Sequence, residues 1–503
     1  MKKILYVTLA LMAGAAAFSS CSLEQYPDKA LSTEDAMESA ADCNNFLVGV
    51  YAASKSLFSG FYMYSTDFMT DSYHAIKNYG NWDGDYYTYH GGNGLTASDS
   101  GVWSVWANYY SVIGNCNFLI AGAEKVLAKE GISDDEKAQV EEYMGVAKFM
   151  RAFLYFRLTQ YFCKDYDPAS AESVFGVPVV TKYEPTGDAS KYPHRGTLAE
   201  TYKQIDEDIA DAEKYVKTAG EPDYGYVSAD AVQALKARVA LIKHDWKTAY
   251  AAASALVDKG TYPLQTDAKK YADGWVNDNL GEAIWQPIIV DSSDGGSACS
   301  YFVHNTSGKE GEDDPQYFPE KWVLDLYAAG DIRYDAYFTE SEINMRGNVG
   351  KITMLTKFNG NPKLNISAAS RYINMPKVFR ISEMYLIAAE AAAENNDSGN
   401  AAKYLNALQT ARGAAVTGAS KDEIRAERNR ELFGEGFRLS DIKRYHIGFT
   451  RDNGQDPSMI QDTGYKLSLP ADSPKFIWPI PTKEMEANPQ MENEQNEGYS
   501  LEG

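Results

Sequence analysis

Residues 72–94, SYHAIKNYGNWDGDYYTYHGGNG, combine aromatic rings with amide and carboxylate side chains, the residue types that a sugar-binding site needs. A pyranose has an apolar C–H face that stacks on an exposed ring, and its rim of hydroxyls requires hydrogen-bonding groups. This stretch supplies both within a few residues. The predicted ligand-binding residues here are Tyr79, Asn81, Trp82, Asp83, Asp85 and Tyr86.

Trp82 is the strongest of these candidates because Gly80 and Gly84 flank it and provide little neighbouring side chain to bury it. For each tyrosine the alternative is that the ring packs on the rest of the fold and holds a long loop in place. We therefore expect Trp82 and its polar neighbours to form the centre of any such site.

A second candidate cluster lies in residues 291–307, DSSDGGSACSYFVHNTS, where Tyr301 and His304 stand in a polar setting. Trp285 and Trp322 have apolar neighbours in EAIWQPIIV and EKWVLDLY, so both are predicted to be core residues.

The sequence contains no catalytic signature of the HExxH, GxSxG or P-loop type, and its six histidines are scattered. The chain is therefore predicted not to be an enzyme, although two carboxylates suffice for a glycosidase and their separation cannot be read from sequence. No cofactor is predicted. Whether a structural calcium ion is bound stays an open question at the level of sequence. Acidic segments such as GEDDP could supply ligands, but such segments are more often solvated than ligating.

The charge and the cysteines set further limits. With 48 basic and 70 acidic residues the formal net charge is −22, which repels phosphate backbones and argues against a nucleic-acid partner. Four cysteines form no CxxC or zinc pattern and are predicted to be buried free thiols, although export would permit disulfides. They are Cys43, Cys116, Cys163 and Cys299.

The N-terminus has the features of an export signal: Lys2-Lys3, an apolar run over residues 4–18, and Ser19-Ser20 before Cys21. The run is too short to span a membrane, which takes about 20 apolar residues. It resembles a bacterial lipobox, so residues 1–20 are predicted to be cleaved and Cys21 lipidated, leaving the chain attached to a membrane by a lipid anchor only. The alternative is a plain signal peptide.

The elements that must position these loops are mainly helical. Ser32 with Asp35 resembles an N-cap pair before a predicted helix that begins at Thr33. Apolar residues recur every three or four positions over 102–127 and in several other segments, and Ser133 with Glu136 forms a capping box before the clearest helix. Two later pairs of Ala-rich helices, 228–260 and 380–413, show the spacing of tetratricopeptide-like hairpins. Residues 261–375 are a long irregular insert with the strand candidate EAIWQPIIV, and such inserts are usually functional.

Six fragments in chain order resemble the SusD/RagB family of Bacteroidetes outer-membrane lipoproteins. They are the lipobox with Cys21, AKFMRAFLYFRLTQYF with GVPVV, ADAVQALKARVAL with DWKTAYAAASALVDKGTYPL, KVFRISEMYLIAAEAAAE with LNALQTARG, IRAERNRELFGEGFRLSDIKRY, and IWPIPTKEMEANPQMENEQNEGY. The resemblance covers nearly the whole chain after Cys21.

The resemblance implies a mainly α protein, with four tetratricopeptide-like helix pairs, long irregular ligand-binding loops and little β structure. The expected organisation is a single SusD-like domain over 21–503, in which 21–260 and 376–503 form the helical scaffold and 70–100 and 261–375 the binding region. Within the strongest motif, Glu427 is predicted to pair with Arg430 or Glu431, and Arg438 with Asp441, along helix faces.

The resemblance also implies a place and partners. Family members sit on the outer face of the outer membrane as a lid over a SusC-like TonB-dependent transporter and capture oligosaccharides, while some relatives capture peptides. The family's starch-binding archetype uses two tryptophans in the corresponding loop, whereas this chain has Trp82 alone, so starch specificity does not carry over. Peptide capture and a structural subunit without a ligand remain the alternatives.

Overall fold

The computed structural model describes most of the chain after residue 35. The described residues are 36–89, 95–290, 294–295, 299–305, 309, 311–364, 372–451, 454–461 and 467–500. The predicted signal peptide and Cys21 therefore lie outside the described residues.

Helices dominate the described part of the chain, which confirms the predicted mainly α class. The α-helices are α1 Ala40–Ser54, α2 Phe61–Phe68, α3 Gly84–Thr88, α4 Ser100–Leu127, α5 Asp134–Phe162, α6 Leu198–Tyr215, α7 Ala229–Ile242, α8 Trp246–Lys259, α9 Ala268–Asn277, α10 Lys321–Leu324, α11 Ile332–Tyr337, α12 Ile381–Glu394, α13 Ser398–Ala411, α14 Lys421–Leu432, α15 Arg438–Arg444 and α16 Thr482–Ala487. Short 3₁₀ helices are Lys55–Phe58, Ala189–Lys191, Cys299–Tyr301, Pro457–Met459, Pro474–Phe476 and Pro489–Met491.

The helices pack as consecutive hairpins, as the Ala-rich spacing predicts. Helices α4, α5 and α6 pack each on the next, and the pairs α7 with α8 and α12 with α13 are joined by contacts between α8 and α12. Small residues such as Ala234, Ala253 and Ala388 are fully buried where these helices cross. Because alanine lets helix axes approach closely while larger residues fill the space between the crossings, this pattern specifies a stacked scaffold.

Helix starts follow the capping residues. The Ser133 hydroxyl accepts a hydrogen bond from the Glu136 N–H, which is half of the predicted capping box, while the Glu136 carboxylate accepts from the Ala40 N–H. Thr197 with Glu200 forms a complete capping box at α6. The first helix differs from the prediction, which began it near Thr33: α1 begins at Ala40, where the Ser39 side chain caps it.

The described strands are short and form four two-stranded sheets, each antiparallel. The strands are β1 Tyr73–Ala75, β2 Ala283–Trp285, β3 Tyr317–Pro319, β4 Phe338–Met345, β5 Asn348–Leu355, β6 Phe379–Arg380, β7 Phe449–Thr450 and β8 Ser468–Leu469. Two of them matter for the site: β1 pairs with β3, and β4 with β5 forms a hairpin in which Met345 lies opposite Asn348.

The motif that includes α14 and α15 is the centre of a buried charge network. Glu431 accepts hydrogen bonds from three guanidinium groups, those of Arg333, Arg380 and Arg412, at 2.8–3.1 Å. All four of these side chains are 0–1 % exposed. Arg412 also binds both oxygens of Glu282. The motif therefore ties helices α13 and α14 to the insert through paired ions.

Two predictions for this motif meet different outcomes. Glu427 does pair with Arg430 along α14, at 2.7 Å. The predicted pair of Arg438 with Asp441 is wrong: Arg438 binds Asp71, and Asp441 binds Arg428 and Arg444. Arg438 thus pairs with a residue distant in sequence, whereas Asp441 pairs with Arg444 in the next turn of α15 and with Arg428 of α14.

Gly436 joins α14 to α15 at a close approach between two segments of backbone. Its φ is +79°, and an added Cβ would lie 2.5 Å from the Met63 carbonyl oxygen. Neither the left-handed backbone nor the contact with α2 would accept a side chain. Gly436 thus allows α15 to pack closely against α2.

The four cysteines of the described chain are buried and free, as predicted. Burial raises the pKa of the Cys43 thiol to about 11 and that of Cys116 to about 12. Trp285 is fully buried and Trp322 partly so, which agrees with their predicted core placement. Among the described residues, no helix is both long and apolar enough to cross a membrane.

Candidate functional site

The loop between β1 and α3 has an unusual backbone that its sequence explains. Asn78, Asn81 and Asp83 adopt left-handed conformations with φ of +65°, +61° and +50°, and Gly80 has φ +80°. Asparagine, aspartate and glycine are the residues that tolerate this region most readily. The polar residues of the stretch therefore set the loop shape as well as its surface chemistry.

Most rings of this stretch are buried. Tyr73 and Tyr87 are fully buried, and Tyr79, Tyr86 and Tyr89 are 4 %, 3 % and 7 % exposed. Two of these, Tyr79 and Tyr86, were predicted to contact ligand. Both rings are instead buried in the core. They pack on other aromatic side chains, so neither has an open face for a sugar.

Tyr86 shows how such a ring holds the loop. It packs on Trp478 and Phe61, with centroid distances of 5.0 Å and 5.2 Å, and its hydroxyl donates a hydrogen bond to Asp99. The same carboxylate oxygen accepts from the N–H groups of Gly101 and Val102 at the start of α4. Tyr86 thereby connects the loop to a helix terminus.

Trp82 is the exception, with 45 % of its surface exposed. Its carbonyl oxygen accepts a hydrogen bond from the buried Tyr317 hydroxyl at 2.6 Å, so the backbone beneath the indole is fixed from β3. The prediction that flanking glycines leave this ring exposed agrees with the structure. An exposed indole on a fixed backbone offers a stacking surface that requires little ordering when a ligand binds.

The two predicted loop clusters meet at this indole. Tyr301 and His304 contact Trp82 edge to face, with centroid distances of 6.0 Å and 5.6 Å. Tyr301 is half-buried because it packs on Tyr64 at 4.5 Å, and burial raises its pKa to about 12. Residues more than 200 positions apart in sequence thus form one aromatic surface in which Trp82 is the most exposed ring.

Asn81 and Gly84 form the polar side of this surface. Asn81 Oδ1 accepts a hydrogen bond from the Tyr79 hydroxyl at 2.8 Å. A Cβ on Gly84 would lie 2.1 Å from Asn81 Oδ1 and 2.5 Å from the Tyr79 oxygen, so the absent side chain makes room for this contact. Asn81 is exposed, and with its oxygen occupied, its amide nitrogen is the group left to donate to a ligand.

The two predicted carboxylates are half-buried. Burial raises the pKa of Asp83 to about 6, and the Tyr301 hydroxyl offsets only part of that effect. Asp83 Oδ2 has no hydrogen-bond partner of good geometry. Burial and the Asp99 carboxylate raise the pKa of Asp85 as well. Asp83 stands beneath the aromatic surface, in contact with the tyrosines, and is a weaker candidate for direct ligand contact than Asn81.

Arg346 also belongs to this surface, although it was not among the residues predicted from the sequence. It occupies the turn of the β4–β5 hairpin with φ +50°, and it is exposed. A Cβ placed on Gly80 would lie 3.3 Å from Trp82 Cδ1 and 3.6 Å from Arg346 Nη2, so both side chains cover the same glycine. The β4–β5 hairpin crosses the loop and brings this guanidinium to the indole. No local sequence pattern predicts that position.

The described side chains of this surface can bind a ligand by stacking and by hydrogen bonds. They comprise an exposed indole, a half-buried phenol, an imidazole, an amide donor and a guanidinium. Among the described residues, no three His, Cys, Asp or Glu side chains are grouped so as to hold a metal ion.

Two family models match different parts of the chain. A model described as "SusD family" matches residues 352–499, and one described as "Starch-binding associating with outer membrane" matches residues 22–241. The second match begins directly after Cys21. The two matches lie on either side of residues 242–351, so neither model covers α8.

Known proteins resemble the chain over nearly its whole length. A SusD-like protein of Formosa agariphila is 24 % identical over 97 % of this chain and 98 % of its own. A SusD superfamily protein of Bacteroides thetaiotaomicron aligns with a TM-score of 0.76 at 25 % identity, covering 91 % of this chain and 99 % of its own.

A third similar structure, surface glycan-binding protein A of Bacteroides fluxus, shares the fold with a TM-score of 0.70 at 20 % identity. That alignment covers 91 % of this chain and 99 % of the other. The ordered motifs, the helical scaffold and these matches agree: the chain is similar to SusD-like proteins over nearly its whole length, and a SusD family model matches residues 352–499.

Proposed function

We propose that this protein binds oligosaccharides on the aromatic surface around Trp82 and delivers them to a SusC-like TonB-dependent transporter, without catalysing a reaction. The observation that carries the proposal is the contrast within one loop. Five of the six large rings in residues 72–94 are buried, while Trp82 alone presents an open face. Packing in the core accounts for the five buried rings. It does not account for the exposed indole of Trp82, whose backbone is held by the hydrogen bond from Tyr317.

The groups around Trp82 suit a sugar. The indole can stack on the C–H face of a pyranose, and the Asn81 amide, His304 and Arg346 can form hydrogen bonds with its hydroxyl rim. Trp82 is the single exposed tryptophan among the described residues. A surface of this kind fits one or two sugar rings at a time, so chain length and linkage would be read by neighbouring loops.

The comparisons support this proposal through what they say of other proteins. The Bacteroides fluxus relative is a surface glycan-binding protein, and one family model carries the description "Starch-binding associating with outer membrane". The lipobox resemblance at Cys21 supports attachment to the outer membrane, facing the cell exterior. Copurification with a TonB-dependent transporter from detergent-solubilised membranes would test the partner.

The binding test uses affinity electrophoresis of the mature chain against plant, host-mucin and microbial polysaccharides. We expect at least one glycan to retard the protein. Trp82→Ala should weaken that interaction about tenfold or more, since a stacked ring contributes on the order of 1–3 kcal/mol.

Tyr183→Ala is the matched control, because Tyr183 is 42 % exposed but lies outside the aromatic surface. It should leave the retardation unchanged. If no glycan retards the protein, or if both variants behave alike, the sugar-binding proposal is wrong. A peptide that copurifies with the chain and is released by Trp82→Ala would instead establish the peptide-capture alternative.

A further inference from the structure

A second concave region lies away from Trp82, between the helical scaffold and the insert. It is a cleft of about 1010 Å³ including its open mouth. Its lining comes from the start of α2, one face of α5, the end of α7, residues 372–378 and the turn before α15. None of the eight predicted ligand-binding residues lines it. The cleft is therefore separate from the proposed glycan surface.

The walls of the cleft are mostly apolar. Aromatic side chains line it from several elements, and Met63, Ile242 and Met375 extend the apolar surface. The aromatic residues are Phe58, Tyr62, Phe153, Phe156, Trp275, Phe358, Tyr372 and Phe437. A ligand that fills this space needs an apolar body to match these walls.

One cation in the cleft has no acidic partner. Arg157 Nη2 donates to the Tyr62 carbonyl oxygen at 2.7 Å and to the Tyr161 hydroxyl at 3.1 Å. No carboxylate of the described chain forms an ion pair with it. Arg238 and Lys377, which also line the cleft, are paired with Glu383 and Asp278.

Three buried donor atoms on lining residues also lack hydrogen-bond partners. They are Ser59 Oγ, Trp275 Nε1 and Arg428 Nη1, on residues that are 7 %, 1 % and 2 % exposed. Buried donors normally have a hydrogen-bond partner, so three unpartnered donors around one cleft indicate a ligand that accepts hydrogen bonds. Arg157 and these atoms together make the cleft rich in donors.

The carboxylate and amide acceptors of the lining are already occupied. Glu435 accepts from Lys357 and Arg380, Gln160 Oε1 accepts from Ser440, and Asn374 Oδ1 accepts from the Gly360 N–H. Of the unpartnered atoms, Trp275 Nε1 and Arg428 Nη1 can only donate, and only the Ser59 hydroxyl can also accept. A carboxylate accepts hydrogen bonds and donates none, so it matches these donors better than a rim of sugar hydroxyls, each of which both donates and accepts.

From this geometry we propose that the cleft binds a small organic carboxylate with an apolar body, its carboxylate on Arg157 and its body against the aromatic walls. The chain would then carry a binding site for an amphiphilic acid in addition to its proposed glycan surface. This site does not depend on the glycan proposal, because the two share no residue.

Isothermal titration of the mature chain with 3-phenylpropanoate, and with the neutral 3-phenylpropan-1-ol of the same body, tests this. We expect the acid to bind with a Kd on the order of 1 mM or tighter and the alcohol about tenfold more weakly, because a charge-assisted hydrogen bond exceeds a neutral one by that factor or more.

Arg157→Gln should remove the preference for the acid, and Arg157→Lys should keep part of it, since the lysine retains the charge. Arg425→Gln is the matched control: this partly exposed guanidinium on α14 is outside the cleft lining and should leave both affinities unchanged. Thermal melts of each variant show that it is folded.

Three results would overturn the proposal: no heat from the acid at millimolar concentration, equal affinity for acid and alcohol, or an unchanged preference in a folded Arg157→Gln protein. If Arg157→Gln does not fold, titration of the wild-type chain with the neutral amide of the same acid decides the question. The amide should bind more weakly than the acid, and equal affinity for the two would overturn the proposal.

Discussion

Two polar regions of this protein lie close to the insert and behave in opposite ways. In the charge network, Glu431 is buried and bound by three guanidinium groups, and Glu282 and Glu427 are likewise paired. In the loop around Trp82, the indole is open, the Asn81 amide donor is exposed and Asp83 Oδ2 has no partner of good geometry.

The difference separates residues that maintain the fold from residues available to a ligand. The motif IRAERNRELFGEGFRLSDIKRY has many charges, yet its buried ions have partners within the chain, and Arg428, although paired with Asp441, keeps one unpartnered donor at the cleft. The Trp82 loop has fewer charges, but some of its groups lack partners. Density of polar residues alone therefore does not mark a binding site; incomplete partnering does.

The largest expected effect comes from breaking the network. Although burial alone would raise the pKa of Glu431, the guanidinium groups of Arg412, Arg380 and Arg333 lower it well below its ordinary value. Glu431→Gln leaves buried cations without their shared anion. We expect the free energy of unfolding, measured by urea denaturation, to fall by about 3–5 kcal/mol.

The control for this change is Glu207→Gln, since Glu207 is 58 % exposed and pairs with Lys203 at 3.9 Å on the surface of α6. Its effect should stay within about 0.5 kcal/mol. If Glu431→Gln costs no more than Glu207→Gln, the network does not maintain the fold and the comparison with the Trp82 loop fails.

A smaller effect of opposite sign is expected at Asp83. Its pKa is about 6 in the folded protein and near its ordinary value of 3.8 in the unfolded chain, so ionisation costs stability as pH rises from about 4 to above 6. Asp83→Asn removes that cost. The variant should be more stable than wild type by about 1–2 kcal/mol at pH 8, after allowance for the partial exposure of this carboxyl.

Urea denaturation at pH 4, 6 and 8 checks the sign. At pH 4 Asp83 is protonated in the folded protein and only partly ionised in the unfolded chain, so the advantage of Asp83→Asn should shrink as pH falls from 8 to 4. An advantage that is equal at all three values would show that the amide acts through a new contact rather than through the missing charge.

The smallest expected effect on stability is that of Trp82→Ala. The indole is exposed and touches Tyr301 and His304 only by edge-to-face contacts, so the free energy of unfolding should change by less than about 1 kcal/mol. Trp285→Ala, at a fully buried position, should cost about 3–5 kcal/mol in the same assay. Equal losses would mean that Trp82 is structural, and its exposure would no longer support ligand binding.

Much of the scaffold could be predicted from the sequence because helices are determined locally. The spacing of apolar residues located α4 to α8, and Ser133 marked the start of α5. Gly80 and Gly84 likewise indicated an exposed Trp82. Where capping signals competed, the prediction was less accurate, and α1 begins at Ala40 rather than near Thr33.

The rest could not be predicted because it depends on contacts across the chain. Arg438 finds Asp71 rather than Asp441, and Arg346 reaches the Trp82 loop only through the β4–β5 hairpin. Tyr79 and Tyr86 have the same local composition around them as Trp82, yet only tertiary packing on Tyr317 and Trp478 decides which rings are buried.

The exposure of Trp82 has an optical consequence. The other tryptophans of the described chain are buried or partly covered, so this indole is the one most open to water and to a dissolved quencher. We therefore expect its emission to lie at the red edge of the protein's fluorescence and acrylamide to quench it before the other tryptophans. A sugar seated on its face would shield it and shift that edge toward the blue. The protein thus carries its own unlabelled reporter at the surface where we place the ligand.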